Sequence, residues 1–350
     1  MAASWKYFGV RTLNALVVIV IVVFILSALF STLAEKQLET HIKEQLRAEM
    51  QNLEPGINQT AWRQQREATL EKQYNLDKPT YIRIFYSAAD TLMLDFGTSN
   101  SIQAPGGGSQ VSDIIMSRLP RTVLLFTTAA VIYIILGLIV GLKAAQVAGS
   151  KLDKFISLFG MAASSIPMWW LGMLVIQLFG FELGWFPPSA FPFPIQEEVG
   201  WDGYIVGVLK RMAMPLFTIV FVYFGARAWA TRNIVTGVLQ DDYIMAARAK
   251  GVPERKVIYG HTLKSAAPPI VTSAILAFLL SIGGAMITEI IFGWPGMGRL
   301  MWTAIQRDDV PVLMGVAFIT VFLYVVGYLI ADLIYGLLDP RVEVGAERSV

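Results

Sequence analysis

The chain has 350 residues, of which 55% are hydrophobic and 15% charged, and a net charge of +2. That balance is too apolar for an ordinary soluble domain. With no cysteine, disulfides and thiolate-held metals are excluded, and the basic residues follow loops between apolar runs, which argues against a nucleic-acid-binding face.

Residues 12–34 are an uncharged run of 23 behind Lys6 and Arg11. A secretory signal has a shorter apolar core, and this length crosses a bilayer. Residues 1–34 are therefore expected to hold the N-terminus and an uncleaved first transmembrane helix. Residues 35–117 form the one large polar segment and are expected to be external and helical. Leu38, Ile42, Leu46 and Met50 recur every fourth residue and draw an apolar stripe on a helix. Pro55-Gly56 breaks it, a second helix is expected at about 61–74, and a third amphipathic stretch carries Tyr81, Phe85 and Leu92. Acidic and basic residues nearly balance over 35–121, eleven to ten, so this is no polybasic arm. Pro105-Gly106-Gly107-Gly108-Ser109 reads as a flexible link. The Asn58-Gln59-Thr60 sequon is read as chance.

Residues 118–341 are expected to add five membrane helices. The second span is placed at 122–142 and the third at 155–181, with Pro167 kinking a packed helix. Trp185 opens an aromatic, proline-rich string, WFPPSAFPFP, which suits a stiff interfacial loop. No Lys or Arg lies between Lys154 and Lys210, so these aromatics cannot belong to a phosphate-binding surface. The fourth span starts at 212 and extends to about 232, the fifth is 265–288 and the sixth 310–331. Gly293 to Gly298, read GWPGMG, turns between the last two. Small residues punctuate the spans at Gly137 and Gly141, Gly160, Ala163 and Ser164, and Gly283 and Gly284, a pattern of close helix packing. His41 and His261 stand alone and are read as surface residues; no metal site is expected. Short loops on the side of the N-terminus hold fourteen Lys and Arg against four opposite. Both termini, the central loop and the tail 342–350 are therefore expected in the cytoplasm.

Residues 233–264 form that central loop. Asp241 or Asp242 can cap a helix through Ala246, Ala247 and Ala249, Gly251 suits the position just past its end, and Pro253 starts another turn. Met245-Ala246-Ala247, then Gly251, then Leu263 resembles the EAA loop of ABC-importer permeases. The fuller string Asp242-Tyr243-Ile244 through Ala247-Arg248-Ala249-Lys250-Gly251 is similar to the dipeptide/oligopeptide/nickel branch. Met245 stands where the general motif has Glu, and Lys264 where many members have Pro. Leu76-Asp77-Lys78-Pro79, Asp95-Phe96-Gly97-Thr98-Ser99, Ser117-Arg118-Leu119-Pro120, the Gly293 turn and Leu338-Asp339-Pro340-Arg341 also resemble that branch. The resemblance implies an all-α polytopic protein, six transmembrane helices of the type I importer permease fold with a helical external insert after the first.

The resemblance further implies a transport subunit, not an enzyme, that forms half of a path for peptides or related small solutes by alternating access. Asp242, Tyr243, Ala246, Ala247, Arg248, Ala249, Lys250 and Gly251 would be the coupling helix. Its partners would be a second permease, two cytoplasmic ATPase domains that bind ATP and Mg, and an external solute-binding protein. No Gly-Lys-Ser or Gly-Lys-Thr occurs in this chain, so ATP would be held elsewhere. No cofactor is expected in this chain, and the spans would contact membrane lipid but no nucleic acid. Charges beside the spans make Glu289, Arg227 and Asp332 candidates for the path, with helix packing or anchoring as the alternative. The insert's stripe is one residue wide, too narrow for a pocket. It is expected to dock a partner domain or close on itself as a lid, and not to bind solute. A membrane-embedded enzyme and an ion-coupled secondary transporter are the rival classes. The first lacks a nucleophile motif, and the second calls for broken helices in corresponding halves and a mid-membrane charge relay, neither of which is evident in the sequence.

Overall fold

The computed structural model describes residues 2–51, 58–74, 76–281 and 285–338. Pro55-Gly56, Gly283, Gly284, Asp339-Pro340-Arg341 and the tail lie outside the described residues. Among those described, five helices are long and apolar enough to cross a membrane, or six if a bent pair counts as one span. Among the described residues no strand forms, only an isolated bridge between Thr98 and Gln110. The chain divides into two compact units, the described parts of Met1–Leu13, Arg118–Leu300 and Leu323–Val350, and Asn14–Ser117 with Met301–Phe322.

In the second unit the first helix, α1, runs unbroken from Ala2–Gln51. Its apolar half exposes Leu13, Leu16, Ile25 and Leu29, as a lipid-facing segment requires. Its outer half carries the stripe, and the structure decides that stripe's use. Ile42 and Leu46 are buried against Leu70, Trp62 and Tyr74 of, or just after, α2 (Gln59–Gln73). Arg66 forks onto Glu49 at 2.7 and 2.8 Å. Two residues of the stripe, Ile42 and Leu46, are thus used inside the insert, packed on α2. Asn58 caps α2, its Oδ1 accepting from the N–H groups of Thr60 and Ala61.

The third helix, α3 (Thr80–Leu92), leads into a tight excursion. Ser99 N–H donates to Ser109 O, Ala104 N–H to Gly108 O and Val111 N–H to Gly97 O. The glycine run is therefore a hydrogen-bonded turn, not the flexible link that composition suggests. Asp309 pins it. Wholly buried, it accepts from Ser99 Oγ (2.6 Å), Ser101 Oγ (2.9 Å) and Ser101 N–H (3.0 Å).

The first unit is a bundle around α4 (Val111–Gln146), α5 (Lys151–Ser165) and α7 (Gln196–Leu239). Glycines set its closeness. A Cβ on Gly137 or Gly141 would strike Arg227 or Ala228 of α7, and one on Gly160 would lie 2.5 Å from the Gly225 carbonyl. Both α4 and α7 outrun their expected bounds, and α7 takes in Lys210 and Arg211. It is interrupted at Gly200, where φ is 69°.

Two expected spans are corrected. α5 and α6 (Met168–Val175, continued by a π turn, Ile176–Glu182) meet at 94°. Ile166 and Pro167 both take extended ψ (124° and 122°), because a proline forces its predecessor out of the helical region. The result is a break, not a kink. The fifth span also stops early. α10 (Leu263–Ser281) is followed by Ala285 in extended backbone and by a separate short helix, α11 (Met286–Ile291). Then α12 (Met297–Gln306) and α13 (Val310–Leu338) complete the chain.

Candidate functional site

Between α7 and α10 the chain folds as a helix, a bend and a second short helix, α8 (Asp242–Ala249) and α9 (Glu254–Lys256). Asp241 is the N-cap residue, yet its side chain makes no capping bond. The expected carboxylate cap is corrected to a helix start whose nearby acids act through the N-terminal field. The other end closes tightly. Gly251 N–H donates to Arg248 O (2.9 Å) and Val252 N–H to Ala247 O (3.2 Å), with Gly251 at φ 76°. This is the two-bond termination that favours glycine. Arg248 crosses the bend to Glu254 at 2.7 and 3.2 Å, and that carboxylate holds the guanidinium above its ordinary range.

Ile244 is the buried anchor of α8. Asp242, Tyr243, Met245, Ala246, Arg248, Ala249, Lys250 and Gly251 are exposed, and Ala247 is half-buried. One short helix therefore offers nearly its whole outer surface. Its root is the reverse. Beyond α9 a π turn, Val257–Thr262, plants Ile258 among Leu142 and Ala145 of α4, Val235 of α7, and Ala266 and Ile270 of α10. Close by, Asp153 receives both arms of Arg232 at 2.7 Å and the Gly149 N–H at 2.8 Å. This clamp ties the start of α5 to α7.

A cavity of about 400 Å³ lies between α4, α6, α7 and α10, its lining including Phe126, Tyr133, Met168, Tyr223, Arg227 and Ser281. The Tyr133 and Tyr223 rings are 5.4 Å apart. Arg227 donates to Ser273 Oγ (2.9 Å) and Ser273 O (2.6 Å). A half-buried cation fixed on α10 thus faces a chamber of aromatic and hydroxyl groups.

The three charged candidates are not brought together. Arg227 lines the cavity, and Glu289 and Asp332 are not among its lining residues. Glu289 is fully buried, accepting from Thr122 Oγ1 (2.7 Å) and the Arg299 N–H (3.0 Å). Thr122 in turn accepts from the Met297 N–H at 2.7 Å, so the carboxylate organises the Gly293–Gly298 turn. Gly296 has no room for a side chain beside Glu289 and Thr122. Trp294, also buried, donates to Arg121 O (3.0 Å) and meets Phe193 edge-on at 5.4 Å. The proline-rich loop is thereby packed on this turn. Asp332 pairs with Arg11 at 3.2 Å, both side chains 43% exposed.

Sequence reading missed Asp153, Ser273 and Ile258 as working residues. Only Asp153 has a local signal, the Ser150 cap preceding it, whose Oγ accepts the Asp153 N–H. Ser273 matters through Arg227, 46 residues earlier, and Ile258 through partners spread over three helices.

Comparison with known proteins gives a consistent picture. A family model described as "Binding-protein-dependent transport system inner membrane component" matches residues 133–344. The chain is 33% identical over 291 residues to the oligopeptide transport system permease protein AppB of Bacillus subtilis (strain 168), covering 83% of this chain and 88% of that protein. It is 33% identical over 271 residues to a putative peptide transport system permease protein of Brucella abortus (strain 2308), covering 77% and 82%. It is 30% identical over 276 residues to the glutathione transport system permease protein GsiC of Salmonella typhimurium (strain LT2), covering 79% and 84%. The matched stretch contains the exposed helix, its buried root and all of the cavity's lining except Phe126. The chain belongs to the family of inner-membrane components of binding-protein-dependent transport systems.

Proposed function

We propose that this chain forms half of the translocation path of an ATP-driven importer of peptides, with α8 as the helix that couples it to an ATPase. The observation that carries this reading is the contrast between the two sides of α8. Its outer surface is open to a partner, while the turn that follows it is rooted by Ile258 in α4, α7 and α10. A partner that pushes on α8 therefore pushes on three helices at once. The cavity lies among α4, α7 and α10, so movement of that root changes the cavity's walls. Arg227, the aromatic faces and the hydroxyls suit a solute built of amides and varied side chains. The relatives' names support peptides as the cargo class.

In this reading the central loop and both termini face the cytoplasm. The chain works beside a second permease subunit, two ATPase domains that hold ATP and Mg, and an external binding protein that delivers the solute. ATP closure of the ATPases moves α8 and switches the path from one side to the other; the solute is moved without covalent change.

Gly251 supplies the test. A Cβ there meets nothing within 4 Å, so Gly251→Val acts through the positive φ alone, by straining the end of α8. In vesicles reconstituted with the partner subunits, the variant should insert normally, keep ATP hydrolysis, and move at least tenfold less solute per ATP. Unchanged coupling would overturn the assignment of α8.

A further inference from the structure

A second chamber, of about 370 Å³, is lined by residues of α1, the segment after α2, α3, the segment after α3 and the start of α13. Its chemistry is uneven. Phe30, Leu38, Phe96 and Met314 give it an apolar wall. Three carboxylates line it, those of Glu35, Asp90 and Asp95, against the single cation Arg83. Arg83 is committed to Glu35 at 2.9 Å and to Thr80 Oγ1 at 3.2 Å. Among the described residues Asp90 and Asp95 have no cationic partner. Lys78 lies over the Tyr86 ring at 4.7 Å and is not among the lining residues.

Two donors are left over. Ser27 is 1% exposed, lines the chamber, and its Oγ has no hydrogen-bond partner. The Arg83 Nε–H is buried and equally without a partner. Buried polar groups are almost always satisfied, so the pair points to an acceptor that belongs in the chamber. An apolar wall, two carboxylates without a cation, one of them accepting only from the Gly97 N–H at 3.0 Å, and two free donors describe complementary groups on one ligand, namely an ammonium, a carbonyl oxygen and an apolar side chain.

We infer that this chamber binds the free N-terminal residue of a short peptide with an apolar first side chain. The α-ammonium pairs with Asp90 and Asp95, the first carbonyl oxygen accepts from Ser27 Oγ and Arg83 Nε, and the side chain lies against Phe30, Phe96 and Met314. The insert is then a second holding site for cargo, contrary to the expectation that it does not bind solute. The stripe contributes only Leu38 to the wall, and the chamber arises where five segments converge. The identity of the ligand rests on the peptide-import reading.

The test uses the full chain in phosphatidylcholine nanodiscs with trileucine and N-acetyl-trileucine as probes, read by calorimetry. Trileucine should bind, and acetylation should weaken it at least tenfold, as should the double variant Asp90→Asn with Asp95→Asn. Ser27→Ala should weaken it severalfold. Asp90 makes no side-chain hydrogen bond among the described residues, so Asp90→Asn alone keeps the test readable if the double variant does not fold. Equal binding of the acetylated peptide, or no effect of the Asp90 change, would overturn the inference. So would loss of trileucine binding when phosphatidylethanolamine, which also carries an amine and an apolar body, is added to the discs. Peptide uptake by the assembled transporter separates the two claims. If uptake proceeds while the chamber fails to bind, only the chamber assignment falls; if ATP drives no peptide uptake at all, the import reading falls.

Discussion

Asp309 shows how much one residue holds in the insert. It is a buried carboxylate whose partners are neutral donors, chiefly from Ser99 and Ser101 about two hundred residues earlier, with the Val312 N–H at 3.4 Å. Arg307 adds a bond to Ser101 O at 2.7 Å. Asp309→Ala leaves those hydroxyls and the Ser101 N–H without their acceptor, at a cost of about 1–3 kcal/mol for the buried group most affected. The variant should melt several degrees lower, and limited proteolysis should cut faster at residues 105–109; an unchanged melting point and cutting rate would count against the role. The Asp95-Phe96-Gly97-Thr98-Ser99 string was legible from the sequence as a family feature. Its partner was not, because a hydrogen bond across that separation leaves no periodic trace. The same holds for Glu289, legible as an unusual charge but not as the acceptor for Thr122 and the Arg299 backbone.

At the scale of helices, the glycines were the more reliable guide. The four-residue spacing of Gly137 and Gly141 identifies a face of α4, and α7 does pack on it, with Arg227 and Ala228 against that face. What spacing could not give was the second half of the seam, where Gly160 of α5 meets Gly225 of α7 backbone to backbone. Gly160→Leu should therefore behave as an overpacked core, costing about 1–3 kcal/mol. The yield of folded protein in detergent should fall, while a leucine at Gly237, where nothing lies within 4 Å, should leave it unchanged. Equal yields would refute the seam. Breaks were harder to read than contacts. Pro167 marks the site of the α5–α6 break, but hydropathy runs straight through it, so a 94° corner looks like one continuous span. α8 was the most legible element, because Gly251, Pro253 and the small residues each have a local geometric reason to be there.

For the whole chain, composition and the apolar runs were enough for a polytopic helical bundle, and the insert's interior was the part they could not describe. Orientation is open to direct measurement because the chain has no cysteine of its own. Single cysteines at Ser109 and Lys250, both in exposed turns, should react oppositely with an impermeant maleimide. Ser109→Cys should label in intact cells and Lys250→Cys only after permeabilisation, and the reverse pattern would invert the topology. The unbroken α1 adds a mechanical consequence. Its 50 residues rise about 75 Å at 1.5 Å per residue, far more than the roughly 30 Å hydrocarbon layer. With no hinge between its lipid-facing half and its outer half, α1 is a lever with its fulcrum in the bilayer. A tilt of roughly 10° would sweep the outer 17 residues, about 25 Å of helix, through about 4 Å at the tip relative to the point where α1 leaves the bilayer. A change in bilayer thickness, to which a long span can adapt by tilting, would then be felt at the far end of the insert, in the packing of Ile42 and Leu46 on α2.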